Sequence, residues 1–142
     1  MNRKLFVVGF ALAFLTILPA ARASEEDQAT KLTFSQSVQI PGRVLTAGTY
    51  WFVTDSFSDS KVVRVFSEDR TTVYVTLLTA SAENLEPVNE TAITFAERGA
   101  MQPEAIITWF YPGRSIGHQF IYSKQQEKAL AQAAQHTVLT GD

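Results

Sequence analysis

The stretch TWFYPGRSIGHQFIY, residues 108–122, puts five aromatic rings, His118 and a Pro-Gly pair into fifteen residues. Pro112-Gly113 and Gly117 punctuate it, which leaves AIITWFY (105–111) and HQFIY (118–122) as two strands around a six-residue loop, 112–117. Setting Tyr111 opposite His118 places Trp109 opposite Phe120 and Ile107 opposite Tyr122, a row of cross-strand pairs on one face. Pairs of this kind contribute a few tenths to about 1 kcal/mol each, so the stretch reads first as the core of a β-hairpin. A one-residue slip would regroup the faces. The same residues also allow a binding reading. Rings left exposed at a sheet rim, Trp109 and Tyr111 among them, could receive a sugar or peptide, with Arg114, His118 and Gln119 giving the polar contacts.

Upstream of the hairpin the same period of two recurs. Leu32, Phe34, Val38 and Ile40 alternate with Thr33, Ser35, Ser37 and Gln39, the pattern of a strand with one wet face. Pro41-Gly42 turns the chain, and TYWFV (49–53) has the β-branched and aromatic content of a buried strand. The polar loop DSFSDS (55–60) leads to KVVRVF, and the turn SEDRT (67–71) leads to TVYVTLL, a second hairpin. Residues 80–90, with Pro87, read as the longest connection, and TAITFA (91–96) as a short strand. Seven strands at this spacing predict a mainly β domain over residues 31–123, a single antiparallel β-sandwich or small barrel. Ser123 with Gln126 reads as a capping box opening a helix over 124–135, whose Ala129, Leu130, Ala133 and Ala134 form one narrow apolar stripe. Residues 136–142 are then expected to be a mobile tail.

The other end of the chain is read as an address. Arg3 and Lys4 precede the uncharged apolar run LFVVGFALAFLTIL (5–18), Pro19 ends it, and Ala21-Arg22-Ala23 supplies small residues where a signal peptidase reads. Residues 1–23 are therefore expected to be a signal peptide cleaved between Ala23 and Ser24. Fourteen apolar residues make a helix of about 21 Å, short of a ~30 Å hydrocarbon core, which disfavours a permanent anchor. Residues 24–30 follow as a flexible acidic lead-in. Cleavage leaves 142 minus 23, or 119 residues, enough for one core, with nine basic against fourteen acidic side chains. That balance offers no basic stripe for nucleic acid or an anionic membrane. Cysteine is absent, which excludes disulfides, thiol nucleophiles and Cys-type zinc sites.

Chemistry finds few footholds. His118 has no glycine-framed nucleophile beside it, so the enzymatic alternative is a small hydrolase that pairs His118 with a carboxylate such as Glu104 brought near by folding. His136, beyond the expected helix, makes a two-histidine metal site unexpected, and DSFSDS lacks the ligand alternation and glycine of a calcium loop. No catalytic residue, metal or cofactor is assigned on these grounds.

The block VQIPGRVLTAGTYWF (38–52), followed much later by WFYPGRSIGHQFIY (109–122), resembles a group of small secreted proteins of soil bacteria. In that group a V-x-I-P-G-x-V-L-x-A-G-T-Y-x-F block opens a β-rich domain and a W-F-Y-P-G block with a second aromatic strand closes it. The resemblance spans roughly residues 31–124. It implies the fold and the exported address and carries no activity. The expectation is thus an exported β-domain, periplasmic or extracellular, that serves a non-enzymatic binding or structural role with a protein or glycan partner. The alternatives are the His118 hydrolase and carbohydrate binding through exposed rings of the 108–122 hairpin.

Overall fold

Runs of alternating apolar and polar residues become strands wherever one face of the run can be buried, and that rule accounts for most of this chain. A computed structural model describes residues 15–16, 27–55 and 61–140. The expected cleavage point at Ala23 and Ser24 lies outside the described residues. Among the described residues, eleven strands and one helix follow in order: β1 Leu15–Thr16, β2 Asp27–Phe34, β3 Val38–Ile40, β4 Arg43–Leu45, β5 Gly48–Asp55, β6 Val62–Ser67, β7 Val73–Glu83, β8 Thr91–Ala96, β9 Glu104–Phe110, β10 Ile116–Phe120, α1 Lys124–Ala131 and β11 Gln135–Thr140. The protein is mainly β with a C-terminal helix, as its sequence predicts. Among the described residues, no helix is long and apolar enough to cross a membrane.

The strands form an open sheet in the order β1-β2-β5-β6-β7-β10-β9-β3-β4, with β8 on the other edge of β9 and β11 outside β8. Among the described residues the pairings are antiparallel except β3 on β9, where Val38 and Gln39 lie beside Glu104 and Ala105. β7 joins the two halves. Its residues Val73 to Leu78 pair with β6, and Thr79 to Glu83 pair with β10. Thr79 marks the changeover: its N–H and its hydroxyl both donate to the Lys61 carbonyl, at 2.6 and 2.9 Å. The sheet thereby folds onto itself through one continuous strand. No ladder among the described residues joins its two ends, so the barrel alternative does not form.

The inner faces meet in an aromatic core. The Phe52 ring from β5 stands edge-on to Trp109 of β9 at 6.1 Å and to Phe120 of β10 at 6.4 Å. Phe34, Val63, Val65, Ile93 and Phe95 are among the fully buried side chains of the same core. The Tyr122 hydroxyl donates 2.7 Å to the Ile106 carbonyl and lies 3.1 Å from that of Gln39, tying β3 to β9. Burial raises the Tyr122 phenol above its usual range, so it remains a donor.

Several boundaries differ from the sequence reading. The lead-in expected over 24–30 is a strand from Asp27 on, with Gln28 and Thr30 buried. The run 31–40 is not one strand; it breaks at Ser35–Gln36–Ser37, and β3 and β4 close a small hairpin across Pro41-Gly42, Gly42 being left-handed at φ 81°. β7 extends five residues past the expected TVYVTLL, because the small alternating TASAE segment satisfies its backbone against β10. The helix expected over 124–135 stops at Ala131. Ser123 does cap it, accepting from the Gln126 N–H at 3.2 Å, but within α1 only Leu130 is buried. The mobile tail expected over 136–142 is instead β11 up to Thr140, paired along the whole of β8 from Gln135–Ala96 to Thr140–Thr91. Val138 and Thr140 face inward there at 4 and 5% exposure, enough burial to hold the segment.

Candidate functional site

The aromatic hairpin is core, and its register is displaced by two residues. His118 pairs with Trp109 and Gln119 with Thr108, in place of Tyr111 with His118. The displacement is even, so the faces stay as expected. Its cause is the turn. The Arg114 N–H donates to the Tyr111 carbonyl at 3.2 Å, and Gly113 sits at φ 84°, the arrangement of a type II turn with Pro112 at its first corner. The carbonyls of Arg114 and Ser115 then accept from Val88 and Asn84, stitching the loop to the 84–88 connection. Strand pairing resumes at Ile116, so Gly117 lies inside β10 and not in the loop.

The five residues proposed for binding divide accordingly. Trp109 is fully buried, and its indole stacks on the His118 imidazole at 5.3 Å and 23°. Phe110, Phe120 and Tyr122 are also buried, Tyr111 is half-buried, and Arg114 and Gln119 are exposed. His118 Nδ1 lies 2.9 Å from the Thr79 hydroxyl. Since that hydroxyl spends its single proton on Lys61, the imidazole must donate, which fixes the Nδ1–H tautomer. Burial, with a smaller contribution from the Arg114 charge, lowers the His118 pKa to about 4.

That pKa has a consequence for stability. A histidine whose folded pKa lies below its unfolded value of about 6.5 favours the folded state above pH 6.5, and the stability is lost as pH falls from there through 4. The full shift would correspond to about 3 kcal/mol. Because the ring keeps some solvent contact, about 1 to 2 kcal/mol is expected. Urea unfolding of the wild type and of His118→Gln at pH 7 and pH 4 isolates this share. The wild type should lose that much more than the variant. An identical acid loss in both would show that His118 is not held neutral.

Glu104, the carboxylate proposed to serve His118, lies elsewhere. It stands five residues along β9 from Trp109, roughly 16 Å at strand rise. Its neighbours are Glu97, just beyond the end of β8, and His136 of β11. Glu104 Oε1 is 3.5 Å from His136 Nε2, and Glu97 Oε2 is 3.7 Å from His136 Nδ1. One ligand atom from each of the three lies within 4.8 Å of the others. The imidazole stacks on Phe95 at 5.6 Å, which sets its plane. Burial, then the Glu97 charge, raise the Glu104 pKa to about 7, and burial lowers that of His136 against the opposing pull of Glu97. Sequence reading missed Glu97 and His136 as partners. The signal was the alternation of His136, Val138 and Thr140, hidden by treating the segment as tail.

A third feature covers the outer face of β5 and β6. Arg70, left-handed at φ 64°, lays its guanidinium over Trp51 at 5.2 Å and Phe66 at 5.5 Å, while Lys31 reaches Trp51 at 5.9 Å. The Trp51 indole donates to the Glu68 carbonyl. Cations of the protein itself therefore occupy the ring faces that a sugar would need. Between β9, β10 and α1 runs a groove of about 600 Å³, floored by Ile107, Phe120, Tyr122 and Leu130 and rimmed by Gln119 and Lys128. Comparison with protein-family models, curated proteins and solved structures finds no match.

Proposed function

We propose that the protein is an exported β-domain that acts by binding or as a structural component in the cell envelope or outside the cell, and not by catalysis. The observation that supports this most is the state of His118. It is stacked on a buried tryptophan, donates to Thr79 and has a pKa near 4, so it is a weak base at neutral pH and has no carboxylate partner among its described contacts. The rings around it belong to the core, which favours a structural role for the hairpin over a stacking platform for carbohydrate. The groove beside α1 falls within the 300–1,000 Å³ usual for small ligands, and its apolar floor and polar rim suit a binding role. Export rests on Arg3 and Lys4, the apolar run after them and Ala21-Arg22-Ala23.

Two readouts test the proposal. Protein recovered from its native host should begin at Ser24 by mass spectrometry. An intact Met1 chain in the membrane fraction would contradict export. Generic ester, glycoside and peptide substrates should turn over no faster with the protein than in buffer. Turnover abolished by His118→Gln would replace the binding role with the hydrolase.

A further inference from the structure

The cluster of Glu97, Glu104 and His136 is loosely joined for an ion-pair network, with one carboxylate beside each nitrogen of the imidazole. Glu104 Oε1 and both imidazole nitrogens are buried without a hydrogen-bond partner. The two carboxylate–imidazole contacts, 3.5 and 3.7 Å, exceed the 2.7–2.9 Å of a charge-assisted hydrogen bond. Among the described residues, no lysine or arginine pairs with either carboxylate. The nearby Arg98 turns its guanidinium to the Gln39 side chain and the Pro103 carbonyl instead. Two glutamates held this close repel each other, and unmet buried acceptors cost about 1 to 3 kcal/mol each.

We propose that Glu97, Glu104 and His136 form a binding site for one divalent transition cation of the zinc type. A tetrahedral ion with bonds of 2.0 to 2.2 Å holds its ligand atoms about 3.4 Å apart, close to the observed 3.5 Å between Glu104 and His136. The Glu97 carboxylate faces the other ring nitrogen, Nδ1, at 3.7 Å and, more exposed than the other two at 38%, would swing to the Nε2 side to complete the set. One imidazole and two carboxylates suit a borderline ion, and the two negative charges balance its own. Glu97 also lines a cleft of about 440 Å³ between the 97–102 segment and α1, which gives the ion a way in. Bound there, it would clamp β11 to the β8–β9 edge, with one coordination position left for water or a ligand group.

The test uses the untagged full chain, stripped with EDTA and titrated with zinc chloride by calorimetry, with parallel melting curves. One zinc per chain should bind, and the melting temperature should rise with zinc concentration. Glu104→Gln and Glu97→Gln should each weaken binding at least tenfold. The exposed Glu97 variant keeps the test decisive if changes at the two more buried positions impair folding. By NMR, zinc should shift the imidazole signals of His136 and leave those of His118 in place. Absence of zinc binding, unchanged affinity in both variants, or shifts at His118 in place of His136 would each overturn the proposal.

Discussion

Replacing Trp109 by alanine should cost about 3 to 5 kcal/mol of stability, a large share of the 5 to 15 kcal/mol of a typical domain. The side chain is the largest fully buried one in the described core. Its removal leaves a cavity and loses both the stack on His118 and the edge contact with Phe52, aromatic contacts of about 0.5 to 1.5 kcal/mol each. One feature opposes the loss. The indole Nε1 is buried without a hydrogen-bond partner, so truncation also removes an unmet donor. Trp109→Phe separates the two contributions: it keeps a ring, deletes the donor and should cost less than about 1.5 kcal/mol. Arg114→Ala, at an exposed turn that uses only the Arg114 backbone, should cost less than about 0.5 kcal/mol. Urea midpoints of the three variants check the series. An alanine variant at position 109 that unfolds with the wild type would remove that ring from the core.

Gly117→Ala should be nearly as damaging, at about 3 kcal/mol. Glycine inside a strand is ordinarily a weakness, and alanine there gains about 0.5 to 1 kcal/mol. At this position the sign reverses. A Cβ on residue 117 would stand 2.6 Å from the Trp109 carbonyl oxygen and 2.7 Å from the Phe110 ring. The ring can turn, but the carbonyl belongs to β9 and cannot move without parting β10 from its neighbour. Thermal melting of the variant decides the matter. A midpoint at or above that of the wild type would mean that β9 and β10 do not approach as closely as described.

Gly117 also shows where sequence reading works and where it stops. The hairpin was legible because Pro112-Gly113 and the flanking rings speak for local structure. Gly117 looked like more of the same turn, but its reason is a contact with β9 that no local pattern encodes. The two-residue displacement of the register follows from the tight turn at Pro112-Gly113, and parity keeps the faces intact. The cap at Ser123 was legible because capping is local. β11 was not. His136 to Thr140 is short, follows helix formers, and becomes a strand only because β8 offers it an edge. Placing Glu97, Glu104 and His136 together needs three elements to meet, and local pattern offers Glu104 only His118, the histidine inside an aromatic strand. The extension of β7 was hidden for a similar reason: Thr79, Ser81 and Glu83 look like loop residues until β10 lies beside them.

Fluorescence quenching reports most directly on the central claim, that Trp109 and the rings packed on it are the protein's core and not an exposed stacking platform. With Trp51→Phe, Trp109 is the remaining tryptophan in the chain. Its emission in the folded protein should be blue-shifted and scarcely quenched by acrylamide, and should move to the red with full quenching only on unfolding. A red-shifted emission, quenched by acrylamide under native conditions as readily as in urea, would contradict the claim and return the 108–122 stretch to the surface.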